Sequence, residues 1–537
     1  MSSSRVAWTA LLRRMDDICA KQAALERDRL EVCASLNAIA PIHLLPLELI
    51  IDILLRIYDS VCTYHDSPRS IWISRWLQIP SVCRHWRDVV FSTPAFWRCI
   101  KVGAAPEWLS LSLTYARNGP TEIYFRGDFP WKELAAIMLP HKCSISLVDI
   151  LDLPVAAVTH LDPLFTTSIM PALVTLRIKL EGIKPKSAIS LSRRNIPNLT
   201  SLTLHHFRLL SNVSLYANLH HLCLERCLWP VSLAEFLAIL AASPSLTSLT
   251  LAGCLPAGFE HASEPTSVTI PITLPGLRTL ILEHHSLSVT ACALRYLCIP
   301  NATSLSITGD LGEQYEEDIT ETITGMFPAH AASRIFPMLD SAHAAELSIS
   351  DDIFDLTVRT AAGACVRLGV YSTWVDIWED GRSTLLGLND VLAVCRDAPL
   401  TSLHLHGFWD EVHPDKWEEV FRAFPALEEL ALSGYGWASA IFGGLRQASE
   451  AMPAGQCCPV LRVISLDGLD GHKDTLPAME YENVVDALRV RVELGYPPLE
   501  TLQLHLEQGT AEYEENYEHY FDQFATWAHN VSFTVTQ

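Results

Sequence analysis

One short phrase, Leu-x-x-Leu-x-Leu/Ile, constrains this chain more than any other feature of its sequence. It recurs nine times, at Leu173–Ile178, Leu199–Leu204, Leu219–Leu224, Leu246–Leu251, Leu277–Leu282, Leu400–Leu405, Leu427–Leu432, Leu461–Leu466 and Leu499–Leu504. Starts are 26, 20, 27 and 31 residues apart in the first block and 27, 34 and 38 in the last, with weaker copies at Leu305-Ser306-Ile307 and Leu347-Ser348-Ile349. Leu-x-Leu alternation makes a short strand with one buried face, and the segments between, such as 233–242 and 417–424, carry helical periodicity. One such unit cannot bury its own apolar face. The pattern therefore predicts units stacked into a curved α/β solenoid with strands on the concave surface.

Charge narrows the partners. Among 537 residues, 39 Lys plus Arg stand against 61 Asp plus Glu, a net charge of −22, which argues against nucleic acid, whose binding rests on a basic face. The first twenty residues hold Arg5, Arg13, Arg14, Asp16 and Asp17 and no apolar run of signal-peptide length, and no stretch approaches the roughly 18 apolar residues of a membrane span. The 15 Cys are odd in number and scattered, several between leucines as in Leu222-Cys223-Leu224. A reduced compartment, cytoplasm or nucleus, is expected.

The N-terminal 1–41 reads as one amphipathic helix. Leu11, Ile18, Leu25, Val32 and Ile39 recur every seven residues without Gly or Pro, but the companion seam Met15, Gln22, Arg29, Leu36 is polar in its middle. A helix lying on its own protein and a dimerising coiled coil both fit. Pro41 ends it. Over 42–100, Pro46 can sit in a first helical turn, with Leu49, Ile50, Ile53, Leu54 and Ile57 forming one apolar face. Farther on, Val82, Trp86, Val89 and Val90 follow helical spacing, with Ser81 as N-cap. Fewer than 60 residues carry Trp72, Trp76, Trp86 and Trp97, so some of this apolar surface should meet another protein.

Three submotifs occur here in order: Leu45-Pro46-x-Glu48 with Ile53-Leu54, then Val82-Cys83-x-x-Trp86-Arg87, then Trp97. Together they resemble an F-box, most of all the F-box-like form of many fungal proteins. The resemblance implies a small all-α three-helix module that docks on the adaptor subunit of a cullin-RING ubiquitin ligase. It would do so through Leu45, Pro46, Glu48, Leu49, Ile53, Leu54, Val82, Cys83, Trp86 and Trp97. The stretch 58–75 is longer and more polar than the family's linker. The leucine phrases in turn resemble leucine-rich repeats of the irregular kind, with Cys227 and Cys254 at the usual Asn/Cys position, and imply a horseshoe over 170–510, a linking segment over 101–169 and a C-terminal cap over 511–537.

In that geometry the residues between the leucines face outward, and the target-binding set is His205, His221, Glu225, Glu283, His404, His406, Asp467 and His505. Arg177 and Lys179 are the only basic residues on this face apart from His. Phosphopeptide recognition needs an Arg cluster, so an unphosphorylated protein segment is the expected ligand. His205, His206, His220 and His221 with Cys223, Glu225 and Cys227 supply zinc-ligand types, but their spacing matches no finger, and no metal or other cofactor is expected. Vicinal Cys457-Cys458 reads as core or loop. Walker, dinucleotide, Gly-x-Ser-x-Gly and His-Glu-x-x-His motifs are absent, so the chain is not expected to be an enzyme. The sequence points to a substrate receptor that holds a target beside the ligase, with a non-ligase interaction scaffold as the alternative.

Overall fold

The computed structural model describes residues 2–62, 76–102, 106–126, 129–182, 187–209, 213–261, 271–312, 322–327, 332–350, 353–371, 381–452, 455–470, 477–507 and 520–536. Trp72 and the acidic run 512–518 lie outside them, as does most of the polar stretch 58–75. The chain divides into two compact units, one of residues 1–181 with 193–199, the other of 182–192 with 200–537.

The first unit starts with α1 (Ser2–Ala38), then α2 (Leu47–Cys62), α3 (76–81) and α4 (Arg84–Ser92). Strands β1 (Cys99–Lys101), β2 (Thr121–Arg126), β3 (Ile145–Leu153) and β4 (Thr175–Leu180) pair in that order, all parallel. Helices α5 (Pro106–Ala116), α6 (Trp131–Met138) and α7 (Val158–Thr166) make the crossovers between them. The heptad seam of α1 stays in solvent: Leu11, Ile18, Leu25 and Val32 are all exposed, as is Ile39 one residue past the helix. Cys33 and Asn37, near the end of the helix, are half-buried.

The second unit carries β6 (Ser201–His205), β8 (His221–Glu225), β9 (Ser248–Ala252), β11 (Thr279–Ser286), β13 (Ser304–Asp310), β14 (Ala342–Ser350), β15 (Ile353–Thr360), β16 (Cys365–Tyr371), β17 (Ser402–Phe408), β18 (Glu429–Gly436), β19 (Val463–Asp470), β20 (Leu499–Glu507) and β21 (Ala528–Thr536). The short pairs β5 (Ser187–Ala188) with β7 (Phe207–Arg208), and β10 (Ile272–Thr273) with β12 (Leu297–Cys298), lie apart from these. The helices are α8 (Val213–Tyr216), α9 (Leu233–Ala241), α10 (Leu287–Leu294), α11 (Ala332–Ile335), α12 (Gly381–Val394), α13 (Pro414–Ala423), α14 (Ala438–Ala451), α15 (Pro477–Glu493) and α16 (520–527). Leucines align in rows across the ladder. Leu202, Leu222, Leu249 and Leu280 are register partners, as are Leu204, Leu224, Leu251 and Leu282, and all are buried. At about 1.5–3 kcal/mol per buried side chain, each row of four contributes about 6–12 kcal/mol.

This architecture corrects the predicted one. The expected leucine-rich-repeat horseshoe over 170–510, behind a separate all-α module, is replaced by a mostly parallel α/β arrangement whose main strands, among the described residues, number four in the first unit and thirteen in the second. Pairing begins at Cys99, directly after the helical segment, and that segment shares one core with Tyr124 of β2 and Leu147 of β3. Strand β15 runs antiparallel to both β14 and β16, a reversal that a uniform repeat does not contain. The helix that includes Phe521, Phe524 and Trp527 leads into β21 and so is not the end of the fold. The leucine phrase records only that a strand has one buried face, a property of strands in many sheets, and carries no information about connections.

Candidate functional site

The first candidate surface is at the start of α2. The Pro46 carbonyl accepts from the amides of Leu49 (3.0 Å) and Ile50 (3.2 Å), so Pro46 stands just outside the helix instead of within its first turn. The predicted single apolar face of α2 is split. Ile50, Leu54 and Tyr58, four residues apart, point inward; Leu49 and Ile57 face solvent, and Ile53 is half-buried. Tyr58 anchors the inner face by donating to the Cys99 carbonyl (3.1 Å) and accepting the Cys99 amide (3.0 Å). Trp76 lies 5.4 Å from the Tyr58 ring and 5.6 Å from the Trp97 ring, and the Trp97 indole donates to the Val90 carbonyl at 3.0 Å.

The ten adaptor-docking candidates therefore separate. Leu45, Pro46, Glu48, Leu49 and Val82 are exposed, Ile53 and Trp86 half-buried, and Leu54, Cys83 and Trp97 buried. Those last three serve the core, so they are removed from any contact surface. Cys83, not Ser81, is the N-cap of α4, accepting from the Trp86 amide at 3.4 Å. Three exposed leucines that the sequence reading passed over, Leu44, Leu47 and Leu77, enlarge the apolar area, and Leu44 keeps 75 % of its surface in water. His43 Nε2 sits 3.6 Å from Cys83 Sγ, which ties the approach to Pro46 to the turn that carries Val82. Beside this contact a groove of about 630 Å³ runs between α1 and the start of α4, lined by Leu30, Cys33, Asn37, His43, Val82 and His85 among others.

The second surface is the outward face of the strands in the second unit. His221, His406 and Asp467 are exposed there, and His205, Glu225, Glu283, His404 and His505 are half-buried. Six of these side chains pair across neighbouring strands: His205 Nδ1 with Glu225 Oε2 at 2.9 Å, His404 Nε2 with Glu429 Oε1 at 3.5 Å, His406 Nε2 with Glu346 Oε1 at 3.8 Å, and His505 Nε2 with Asp467 Oδ1 at 3.7 Å. Glu346 and Glu429 complete pairs that only strand register could reveal. Of the seven zinc-type candidates, the structure brings His205, Cys223 and Glu225 together. His206 and Cys227 are buried, and burial pushes the Cys227 thiol up to about 11.

On the strand face of the first unit, Arg177 is not a free cation. It donates to Asp149 Oδ2 at 3.2 Å, and Arg126 grips both oxygens of the same buried carboxylate at 3.2 and 3.1 Å. Cys457 and Cys458 are fully buried beside Arg491, whose guanidinium donates to their carbonyls at 3.3 and 3.1 Å. The Cys458 thiol and that guanidinium hold the Cys457 thiol below its ordinary range. No helix among the described residues is long and apolar enough to cross a membrane. No family model matches the chain, and no curated protein matches it.

Proposed function

We propose that this chain is a substrate receptor of a cullin-RING ubiquitin ligase, working in the cytoplasm or nucleus. The start of α2 and the α3–α4 turn dock on the adaptor subunit, and through it on the cullin. The outward strand face of the second unit holds an unphosphorylated segment of a target protein. The chain contributes proximity in place of catalytic groups, raising the effective concentration of a target lysine near the loaded enzyme. The observation that carries this reading is the exposure of Leu45, Pro46, Leu49 and Val82 above a core that closes without them. Apolar side chains held out at an ordered helix start and on an adjoining turn are the usual anchors of a protein contact.

Co-purification of full-length chain from cells tests it. Wild type is expected to retain adaptor and cullin, and Leu45→Asp with Leu49→Asp to lose both. These positions are chosen because a charge at Leu54, which is 0 % exposed, would unfold the segment. An unchanged circular dichroism spectrum and urea midpoint certify that the variant is folded. Retention of the adaptor by the folded double variant overturns the proposal, as does a wild-type chain that captures a protein through its strand face but never adaptor or cullin, which is the behaviour of a scaffold.

A further inference from the structure

We infer that His205, Cys223 and Glu225 form a zinc-binding site at the C-terminal ends of β6 and β8. His205 and Glu225 are register partners in adjacent parallel strands. Cys223 stands two residues before Glu225 and so projects from the same side of the sheet. All three side chains are half-buried, and their ligand atoms lie within 4.8 Å of one another.

The separations fit one metal ion. With zinc bonds of about 2.0–2.1 Å to nitrogen, 2.0–2.2 Å to oxygen and 2.3 Å to sulfur, tetrahedral geometry sets ligands about 3.4 Å apart for N and O and about 3.6 Å for S and O. The chain holds His205 Nδ1 2.9 Å from Glu225 Oε2 and Cys223 Sγ 3.5 Å from Glu225 Oε1. The two contacts use different oxygens of Glu225, so side-chain rotation brings the three ligands onto one ion from a starting arrangement in which their ligand atoms all lie within 4.8 Å of one another. The donor set also selects the metal. A thiolate with an imidazole is too soft for magnesium or calcium, and a lone carboxylate completes a set suited to zinc or cobalt. Three protein ligands leave a fourth position open toward the outward face. The nearby Cys227 is no competitor, since it is buried and its thiol donates to the Leu204 carbonyl at 3.2 Å. Binding forms the sulfur–metal bond as the Cys223 proton passes to buffer, with no change of oxidation state, so affinity must rise with pH.

The test is titration of the chelator-treated full chain with cobalt(II) alone, then with zinc(II). One equivalent of cobalt is expected to give a thiolate-to-cobalt charge-transfer band that zinc abolishes. Cys223→Ser should remove the band, and His205→Ala should weaken binding by at least about tenfold. Cys143→Ser, at an exposed cysteine in the other unit, should leave it unchanged. Circular dichroism establishes that each variant is folded. No band at millimolar cobalt, or a band that survives Cys223→Ser, overturns the inference.

Discussion

His285 makes the stability of the second unit depend on acid in a calculable way. Its side chain is 5 % exposed, and its Nε2 donates to the Leu251 carbonyl at 3.2 Å. Burial, with a smaller contribution from His284 and opposed by the Leu251 carbonyl, lowers its pKa from 6.5 to about 4. A group whose folded pKa is depressed in this way favours the unfolded chain once that chain begins to protonate. The stabilisation is present above pH 6.5 and is lost as pH falls toward 4. Between pH 7.5 and pH 5, linkage gives a loss of about 2 kcal/mol from this residue alone. His285→Gln keeps an amide donor for the Leu251 carbonyl and carries no charge at either pH. Urea unfolding at the two pH values measures the effect: the wild type should lose about 2 kcal/mol more than the variant. An equal acid loss in both proteins would refute the reasoning, because it would mean that His285 is not held neutral by burial.

Replacing the buried Arg491 by Met removes its hydrogen bonds to the carbonyls of Cys457 and Cys458, the latter keeping only the Leu461 amide, and removes a cation 4.5 Å above the Tyr496 ring. A loss of about 2–4 kcal/mol in urea unfolding is expected. Arg491→Lys should rescue little, since an ammonium cannot fork between two carbonyls. Gly468 has φ +90°, and a Cβ there would run into the Gly434 carbonyl. Gly468→Ala should therefore cost about 2 kcal/mol or more and lower the melting temperature. On α2, Leu54→Ala should cost about 2–5 kcal/mol and Leu49→Ala less than about 1, as chemical denaturation would record. Equal costs would mean that the inner and outer faces have been exchanged.

The sequence was informative where side-chain alternation is strong. Leu202 and Leu204, Leu403 and Leu405, or Leu502 and Leu504 sit buried in strands at the positions their spacing implies. Strands β15 and β16 were harder to see, because Phe354, Leu356 and Val358, and Val366, Leu368 and Val370, alternate without the leucine phrase. Their antiparallel reversal depends on a turn that the phrase does not encode. Asp149 was missed because its network needs Arg126 and Arg177 from two other strands. In α2 the helix was legible but not its inner face, since Tyr58 competes with Ile57 for the core and wins through its bonds to Cys99. The His205–Cys223–Glu225 cluster was legible as composition only. Fifteen residues separate its two strands in sequence, and register decides which of the candidate ligands meet.

The central claim is that the outer side of α2 is an adaptor contact. Isothermal titration of the purified full chain with purified adaptor measures it most directly. Saturable one-to-one binding, weakened at least about a hundredfold by Leu45→Asp with Leu49→Asp, is the result this account predicts for loss of two central apolar anchors. Identical isotherms for the two proteins, or no heat of binding with the wild type at any accessible concentration, would contradict it.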